Sequence, residues 1–214
     1  GIIAPVFFLV EAEYLGKIGE LCRDHDVLLT VDEIATGFGR TGTLAAFEQA
    51  GLDPDIVCVG KALSGGYLPI SATIVKNGIY ETFGDQPEDH TFYHGHTFSG
   101  NPIAAAAALA ALRAYREEDI AGKARGLERL FRAGLEPLRG RKGVRDVRFL
   151  GGIAAVELES AEAARSVRKR LFENRILIRP LGEVVYLLPP LIIGEKDARE
   201  LADEFRRAIE TSLR

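Results

Sequence analysis

Two short stretches constrain this chain more than anything else in it. Residues 27–31 (Val-Leu-Leu-Thr-Val) and 56–59 (Ile-Val-Cys-Val) are uncharged, apolar and rich in β-branched side chains. Runs of that length and character read as strands of a parallel sheet, buried on both faces. Each gives way to a residue able to do chemistry: Asp32 after the first run, and Lys61, behind Gly60, after the second. Between them lie a glycine-rich loop at 36–42, a short helix at about 44–50 closed by Gly51, and the turn Asp53-Pro54-Asp55. Ligands of parallel α/β sheets sit beyond the carboxyl ends of the strands. An acid and a lysine at two neighbouring strand ends can therefore face one ligand.

The rest of the chain supplies layers around such a sheet. Residues 11–25 carry Leu15, Ile18, Leu21 and Cys22 at helical spacing. Residues 68–75 predict a third strand. An alanine-rich helix spans 101–115 with Pro102 in its first turn. Glu117, Glu118 and Asp119 break it and open a further helix to about 138, followed by a loop at 140–143. Residues 153–158 predict a strand, and 161–174 a helix with Val167 and Leu171 on one face. Two short strands follow at 176–179 and 184–188, then a terminal amphipathic helix at 197–213. The expected fold class is α/β. Residues 1–115 are read as part of a large parallel-sheet domain, and 116–214 as a connecting helix and a small α+β domain.

The charge distribution shifts near the same boundary. Residues 1–115 hold 6 Lys+Arg and 14 Asp+Glu, 116–148 hold 10 and 6, and 149–214 hold 11 and 11. The basic stretch includes Arg125, Arg129, Arg132, Arg139, Arg141 and Lys142. Acids interleave with it and no aromatic platform accompanies it, so it reads as a solvated helix face and loop, not a nucleic-acid surface. No apolar run is long enough to cross a bilayer, and no membrane partner is expected. Cys22 and Cys58 cannot form a disulfide framework and show no metal spacing, which fits a reducing, cytoplasmic setting. The sequence contains no methionine and opens on an apolar run, residues 1–10, without a cap or leader. It is expected to be part of a longer protein.

Several residues compete for a chemical role. Lys61 is flanked by Gly60 and by Ser64-Gly65-Gly66, small residues that admit a bulky cofactor to a Schiff-base amine. Set against this, Asp32 has the bland alternatives of a cap or a salt bridge, and Lys61 that of a solvated loop lysine. Residues 37–42 match G-x-G-x-x-G, but Asp32 to Thr36 separate them from the strand and no long helix follows, so the loop is not read as a dinucleotide site. His94 and His96, without a cluster of cysteines or acids, do not make a metal site, and none is expected. Thr97, Ser99 and Asn101 lie ahead of the alanine-rich helix, where exposed amides and the helix dipole favour a phosphate; an N-cap role for Ser99 or Asn101 competes equally. Arg179, at the end of an apolar run, is placed to grip a carboxylate or to form a surface ion pair.

Taken in order, these segments resemble the class III aminotransferases. They are 31–42 (Val-Asp-Glu-Ile-Ala-Thr-Gly-Phe-Gly-Arg-Thr-Gly), 54–56 (Pro-Asp-Ile), 60–66 (Gly-Lys-Ala-Leu-Ser-Gly-Gly) and 93–102 (Tyr-His-Gly-His-Thr-Phe-Ser-Gly-Asn-Pro). The resemblance covers about residues 14–214. It implies the fold type I architecture of pyridoxal-phosphate-dependent transferases, here the C-terminal half of the large domain plus the small one. Pyridoxal 5'-phosphate is the implied cofactor. Lys61 would bind it covalently and shuttle the substrate proton, Asp32 would pair with the pyridine nitrogen, and Ile34 would pack on the ring. Thr97, with the His96 backbone, would bind the cofactor phosphate of a neighbouring subunit. Gly95 would lie beside the substrate, Arg179 would hold its carboxylate, and Tyr186 would line the same pocket.

Within the class, the segments 32–42, 94–102 and 178–190 favour the biotin-pathway branch. That branch implies amino transfer to 8-amino-7-oxononanoate from a small-molecule donor, S-adenosylmethionine or in some relatives lysine, by a homodimer with shared sites. Another ω-aminotransferase or an aminomutase is the alternative within the class; a non-catalytic module is the alternative outside it. Family members are about twice as long. Their N-terminal half supplies a glycine-serine phosphate loop, a ring-stacking aromatic residue and much of the substrate pocket, and they place a Glu-Pro segment and a glycine-rich loop where this chain has the apolar residues 4–10.

Overall fold

The computed structural model describes residues 10–83 and 90–213. The apolar opening of the sequence therefore lies, except for Val10, outside the described residues. The chain divides into two compact units. One is built from Val10–Phe38 and Ala45–Glu118, the other from Gly39–Leu44 and the residues from Asp119 onward.

In the first unit, α1 (Ala12–Asp24) leads to β1 (Thr30–Asp32), which pairs in parallel with β2 (Ile56–Val59). β1 is shorter than its apolar run. Val27 donates its N–H to Cys22 at the end of α1, and the N–H of Leu29 is taken by the Asp55 carboxylate at 2.8 Å, so the ladder starts only at Thr30. Val31 and Val59 are buried, but Leu28 is 60% exposed and Ile74 56%, so the described residues cover this sheet incompletely.

The expected third strand is confined to β3 (Ala72–Val75), and it runs antiparallel to β2 with Val59 opposite Ala72. The three-stranded sheet, in the order β1-β2-β3, is thus mixed, not parallel. The connection explains this: without a crossover helix the chain can only return antiparallel. Leu68 is spent on a turn in which Ser64 Oγ donates to its carbonyl at 2.5 Å and accepts its N–H at 3.3 Å. A short helix α2 (Asn77–Glu81) follows, then α3 (Pro102–Glu117). Asn101 caps α3, its side chain accepting the N–H groups of Ile103 and Ala104, with Pro102 just inside the start. Phe38, Val59, Leu63 and Ala108 form the core of this unit.

In the second unit, α4 (Ile120–Leu135) starts at Asp119, whose carboxylate accepts the N–H of Gly122 at 3.0 Å. Three antiparallel strands follow: β4 (Val144–Leu150), β5 (Ile153–Leu158) and β6 (Val184–Leu187), with β5 central. Between β5 and β6 lies α5 (Ala161–Glu173), capped by Ser160, and α6 (Glu195–Ser212) closes the unit. Phe131, Leu135, Val147, Val156, Val167, Leu171, Phe205 and Ile209 share one core, each at or near zero exposure. Burying each such side chain contributes about 1.5–3 kcal/mol.

Two differences from the sequence reading stand out. β4 escaped it, because Arg145, Asp146 and Arg148 interrupt the apolar positions Val144, Val147 and Phe149, and a bulge between Val144 and Asp146 breaks the alternation. Residues 176–179, expected as a strand, make no ladder. Arg175 takes a left-handed conformation (φ 63°) and Ile176 donates to Leu171, so this stretch closes the end of α5 before Pro180. The basic stretch is largely neutralised locally: Arg132 pairs with Glu128 at 3.0 Å and lies 4.8 Å over the Phe149 ring, and Arg139 pairs with Asp146 at 2.8 Å. Among the described residues no helix is long and apolar enough to cross a membrane, and no group of three potential metal ligands occurs.

Candidate active site

Register decides the geometry of the first unit. Asp32 is the last residue of β1 and pairs with Cys58, while β2 continues through Val59 and Gly60 to Lys61. The N–H of Glu33 extends the pairing by donating to the Cys58 carbonyl at 2.8 Å. Asp32 and Lys61 thus leave adjacent parallel strands at their shared carboxyl end, and both are exposed. One oxygen of Asp32 accepts the N–H of Ile34 at 2.9 Å, which pins the carboxylate to its own turn. Among the described residues no basic group pairs with Asp32 and no acid pairs with Lys61. Among the described residues neither the salt bridge nor the helix cap considered for Asp32 is formed.

Ile34 is half-buried beside Gly60; a methyl group added at Gly60 would stand 3.7 Å from its side chain. Lys61 itself has φ 45°, a left-handed conformation that costs about 1–2 kcal/mol for a residue bearing a side chain. The turn Lys61–Ser64 that follows is closed by Leu63 N–H to the Gly60 carbonyl at 3.0 Å and Gly65 N–H to the Ala62 carbonyl at 2.8 Å. The donor set matches a pyridine ring bearing an aldehyde: a carboxylate for a protonated ring nitrogen, a primary amine for the carbonyl carbon, and an aliphatic side chain for the ring face.

Gly95, His96 and Thr97 lie in an exposed turn ahead of α3. His96 is bonded within this turn. Its N–H donates to Ser99 Oγ at 3.0 Å, its carbonyl accepts the Ser99 N–H at 2.9 Å, and its Nδ1 accepts the Phe98 N–H at 3.1 Å. The backbone amide of His96 is thereby engaged within the turn, and Thr97 beside it is exposed. Asn101, not Ser99, caps the helix.

In the second unit, Arg179 and Tyr186 border an open cavity of about 380 Å³ together with Ile176, Leu188, Pro189 and Leu201. Arg179 is exposed, and no acidic group among the described residues pairs with it, so the surface ion pair is not formed and its guanidinium remains available to an anion. Pro189 is placed by Arg40, whose Nη1 donates to its carbonyl at 2.8 Å and to that of Gly152 at 3.4 Å. The loop resembling a dinucleotide fingerprint is thus a structural clasp: Gly152 returns a bond to the Arg40 carbonyl at 2.9 Å, and Arg125 donates to the Gly42 carbonyl at 2.5 Å.

Sequence reasoning passed over Glu33 and Tyr115. Glu33 is 1% exposed and accepts from Thr36 Oγ1 and, at 2.8 Å, from the N–H of Phe47. A buried acid next to an exposed one in Asp32-Glu33 was the available signal. Tyr115 donates to the Ala62 carbonyl at 2.6 Å across 53 positions, a contact that spacing cannot reveal.

Comparison with known proteins adds four observations. The aminotransferase class-III family model matches residues 6–209. The adenosylmethionine-8-amino-7-oxononanoate aminotransferase of Aquifex aeolicus is 38% identical over 208 residues, covering 92% of this chain and 46% of that protein. An omega-aminotransferase of Caulobacter vibrioides is 36% identical over 92% of this chain and 46% of its own length. Among solved structures, the omega transaminase of Pseudomonas jessenii in complex with PMP superposes with a TM-score of 0.91 at 32% identity, over 97% of this chain and 48% of that one. The chain spans about half the length of the curated relatives it matches.

Proposed function

This chain belongs to the class III aminotransferases, and on that premise we propose that it carries the amine-transfer chemistry of a pyridoxal-phosphate-dependent transaminase acting on 8-amino-7-oxononanoate. The observation that carries the reading is the β1–β2 register, which brings Asp32 and Lys61 to one strand edge. When bound, pyridoxal phosphate supplies an electron sink for charge developing on the substrate carbon. Asp32 holds a proton on the ring nitrogen, and its fixed oxygen, bonded to Ile34 N–H, orients the free one. Lys61 Nζ would hold the cofactor through its aldehyde carbon and, as a free amine, would take up and return the proton of the substrate carbon. Ile34 excludes water from one ring face. Arg179 orients a substrate carboxylate through paired hydrogen bonds, with Tyr186 beside it.

The partner on this reading is a second copy of the same chain. α3 supports it. Thr97 precedes the N-terminus of α3, whereas the Lys61 turn packs on its later residues: Ala108 and Tyr115 touch that turn, and Ala111 lies 3.6 Å from the Cβ position at Gly65. At about 1.5 Å per residue, those contacts lie roughly 10–21 Å along the axis from Asn101. On this reading Thr97, with the His96 backbone, serves a neighbouring copy's cofactor phosphate, and Gly95 lies beside the substrate. Residues 1–115 are assigned to the cofactor domain and 116–214 to the connecting helix and small domain. Free thiols at Cys22 and Cys58 support a cytoplasmic setting.

The amino donor is S-adenosylmethionine on this reading, the molecule in the name of the Aquifex relative. The competing reading is a broader ω-aminotransferase, favoured by the Caulobacter and Pseudomonas relatives at similar identity. Assay of the enzyme reconstituted with pyridoxal phosphate separates them. We expect amination of 8-amino-7-oxononanoate from S-adenosylmethionine, lost in Lys61→Ala and reduced roughly a hundredfold in Asp32→Asn. Turnover of other amine acceptors without turnover of this ketone would leave the ω-aminotransferase reading in its place.

A further inference from the structure

The left-handed backbone of Lys61 needs something to hold it. Strained conformations persist where the surrounding structure over-determines them. The bonds closing the turn are local: Leu63 N–H to Gly60, and Gly65 N–H to Ala62. They define the shape of the turn but do not fix its orientation. One long-range hydrogen bond joins the turn to α3, beside the core that Leu63 shares with Ala108. The phenol of Tyr115, near the end of α3, donates to the Ala62 carbonyl at 2.6 Å, in the Ala62–Leu63 peptide one residue beyond Lys61. The Tyr115 ring is itself held, stacked on Phe38 with centroids 5.8 Å apart, and it packs against the core that contains Leu63 and Ala108.

We propose that Tyr115 is a positioning residue for Lys61: its hydroxyl locks the Ala62 peptide and so fixes the direction in which the lysine leaves the strand. The Ala62 carbonyl accepts two hydrogen bonds, from Gly65 N–H and from Tyr115 Oη, and only the second ties the turn to a separate element. Without that hydroxyl the Ala62 carbonyl keeps only the local bond from Gly65 N–H, and the turn that opens with Lys61 loses its hydrogen-bonded tie to α3. The inference rests on the reading of Lys61 as the amine that binds the cofactor.

Tyr115→Phe removes one oxygen and keeps the ring on Phe38. In the enzyme purified with pyridoxal phosphate, the variant is expected to show a fivefold or larger rise in the cofactor dissociation constant and a weakened visible circular dichroism of the bound cofactor. kcat is expected to fall tenfold or more, with KM for the amino donor within twofold. The thermal midpoint of the cofactor-free protein should move by only a few degrees, and spectra are taken well below it, so loss of fold does not enter. Unchanged cofactor affinity, visible dichroism and kcat would overturn the proposal, as would a lowered midpoint accompanied by unchanged values of all three. Lys61→Ala, run alongside, separates the two levels of the argument. If it keeps the visible band of the parent, the reading of Lys61 fails and the proposal falls with it. If it loses the band while Tyr115→Phe behaves as the parent, the positioning role alone fails.

Discussion

The carboxyl group of Glu33 accepts the backbone N–H of Phe47 at 2.8 Å, so a fully buried acid joins the end of β1 to the 3-10 helix Ala46–Ala50. Its second oxygen accepts from Thr36, and its backbone N–H and carbonyl are engaged by Cys58 and Gly37. Gly37 suits this close approach, because a Cβ there would stand 3.0 Å from the Glu33 carbonyl. Glu33→Ala leaves the Phe47 N–H and the Thr36 hydroxyl without their partner, a loss of about 1–3 kcal/mol. Glu33→Gln keeps an acceptor for Phe47 and offers an N–H to Thr36, so it is expected to lose less than half as much. Urea unfolding of the two variants measures this, and equal losses would contradict the bonding pattern.

Arg40 and Pro189 form the corresponding tie in the second unit, and Gly151 is the residue most exposed to its disturbance. A Cβ at Gly151 would lie 2.5 Å from the Arg40 carbonyl, and its φ of 54° disfavours any other residue. Gly151→Ala is expected to cost about 2–4 kcal/mol from overpacking and backbone strain together. Gly140 has φ 77° but nothing within 4 Å of its Cβ position, so Gly140→Ala should cost only the strain, about 1–2 kcal/mol. Denaturant midpoints for the two alanine variants should therefore differ clearly, and a smaller loss at 151 than at 140 would refute the clash.

The sequence made visible what depends on local pattern. The β2 run, α3 with its proline, the break at Asp119 and the terminal helix all follow from apolar spacing, caps and turn residues, and the strand-end placement of Asp32 and Lys61 followed from them. Long-range contacts were hidden. The antiparallel return of β3 depends on Ser64 folding the chain back at Leu68. β4 is masked by arginines that pair across the sheet, as Arg148 does with Glu157 at 2.7 Å. Tyr115 reaches Ala62 across 53 positions. The engagement of the His96 amide by Ser99 turned on which of two hydroxyl or amide side chains caps α3, and composition leaves that choice even.

That choice can be tested directly. Asn101 accepts the N–H groups of Ile103 at 2.9 Å and Ala104 at 3.5 Å, while Ser99 accepts only from His96. Asn101→Ala is expected to destabilise by about 1 kcal/mol, and Asn101→Asp or Asn101→Ser to retain most of the cap. Ser99→Ala should leave the stability of α3 unchanged. Amide hydrogen exchange at Ile103 and Ala104 distinguishes the two: faster exchange in Asn101→Ala alone is the expected result, and faster exchange in Ser99→Ala would reassign the cap.

Acid sensitivity of the first unit centres on Asp55. The backbone N–H of Leu29, and then the Lys76 ammonium at 3.1 Å, hold its carboxyl below the usual carboxylate range. In the unfolded chain an aspartate titrates at about 3.9. A depressed folded value means that the stabilisation is fully present above the unfolded value and is lost as the pH falls through the folded one. Lys76, raised by hydrogen bonds to Asp53 and then Asp55, contributes with the opposite sign: its share persists through neutral pH and fades only in alkali. Asp55→Asn should therefore be less stable than the parent by a constant margin between about pH 5 and 7, and that margin should shrink below about pH 4. Comparing the denaturant midpoints of the two proteins at each pH reads this margin. A difference that stays constant down to pH 3 would mean that the ion pair and the Leu29 bond do not favour the ionised carboxylate.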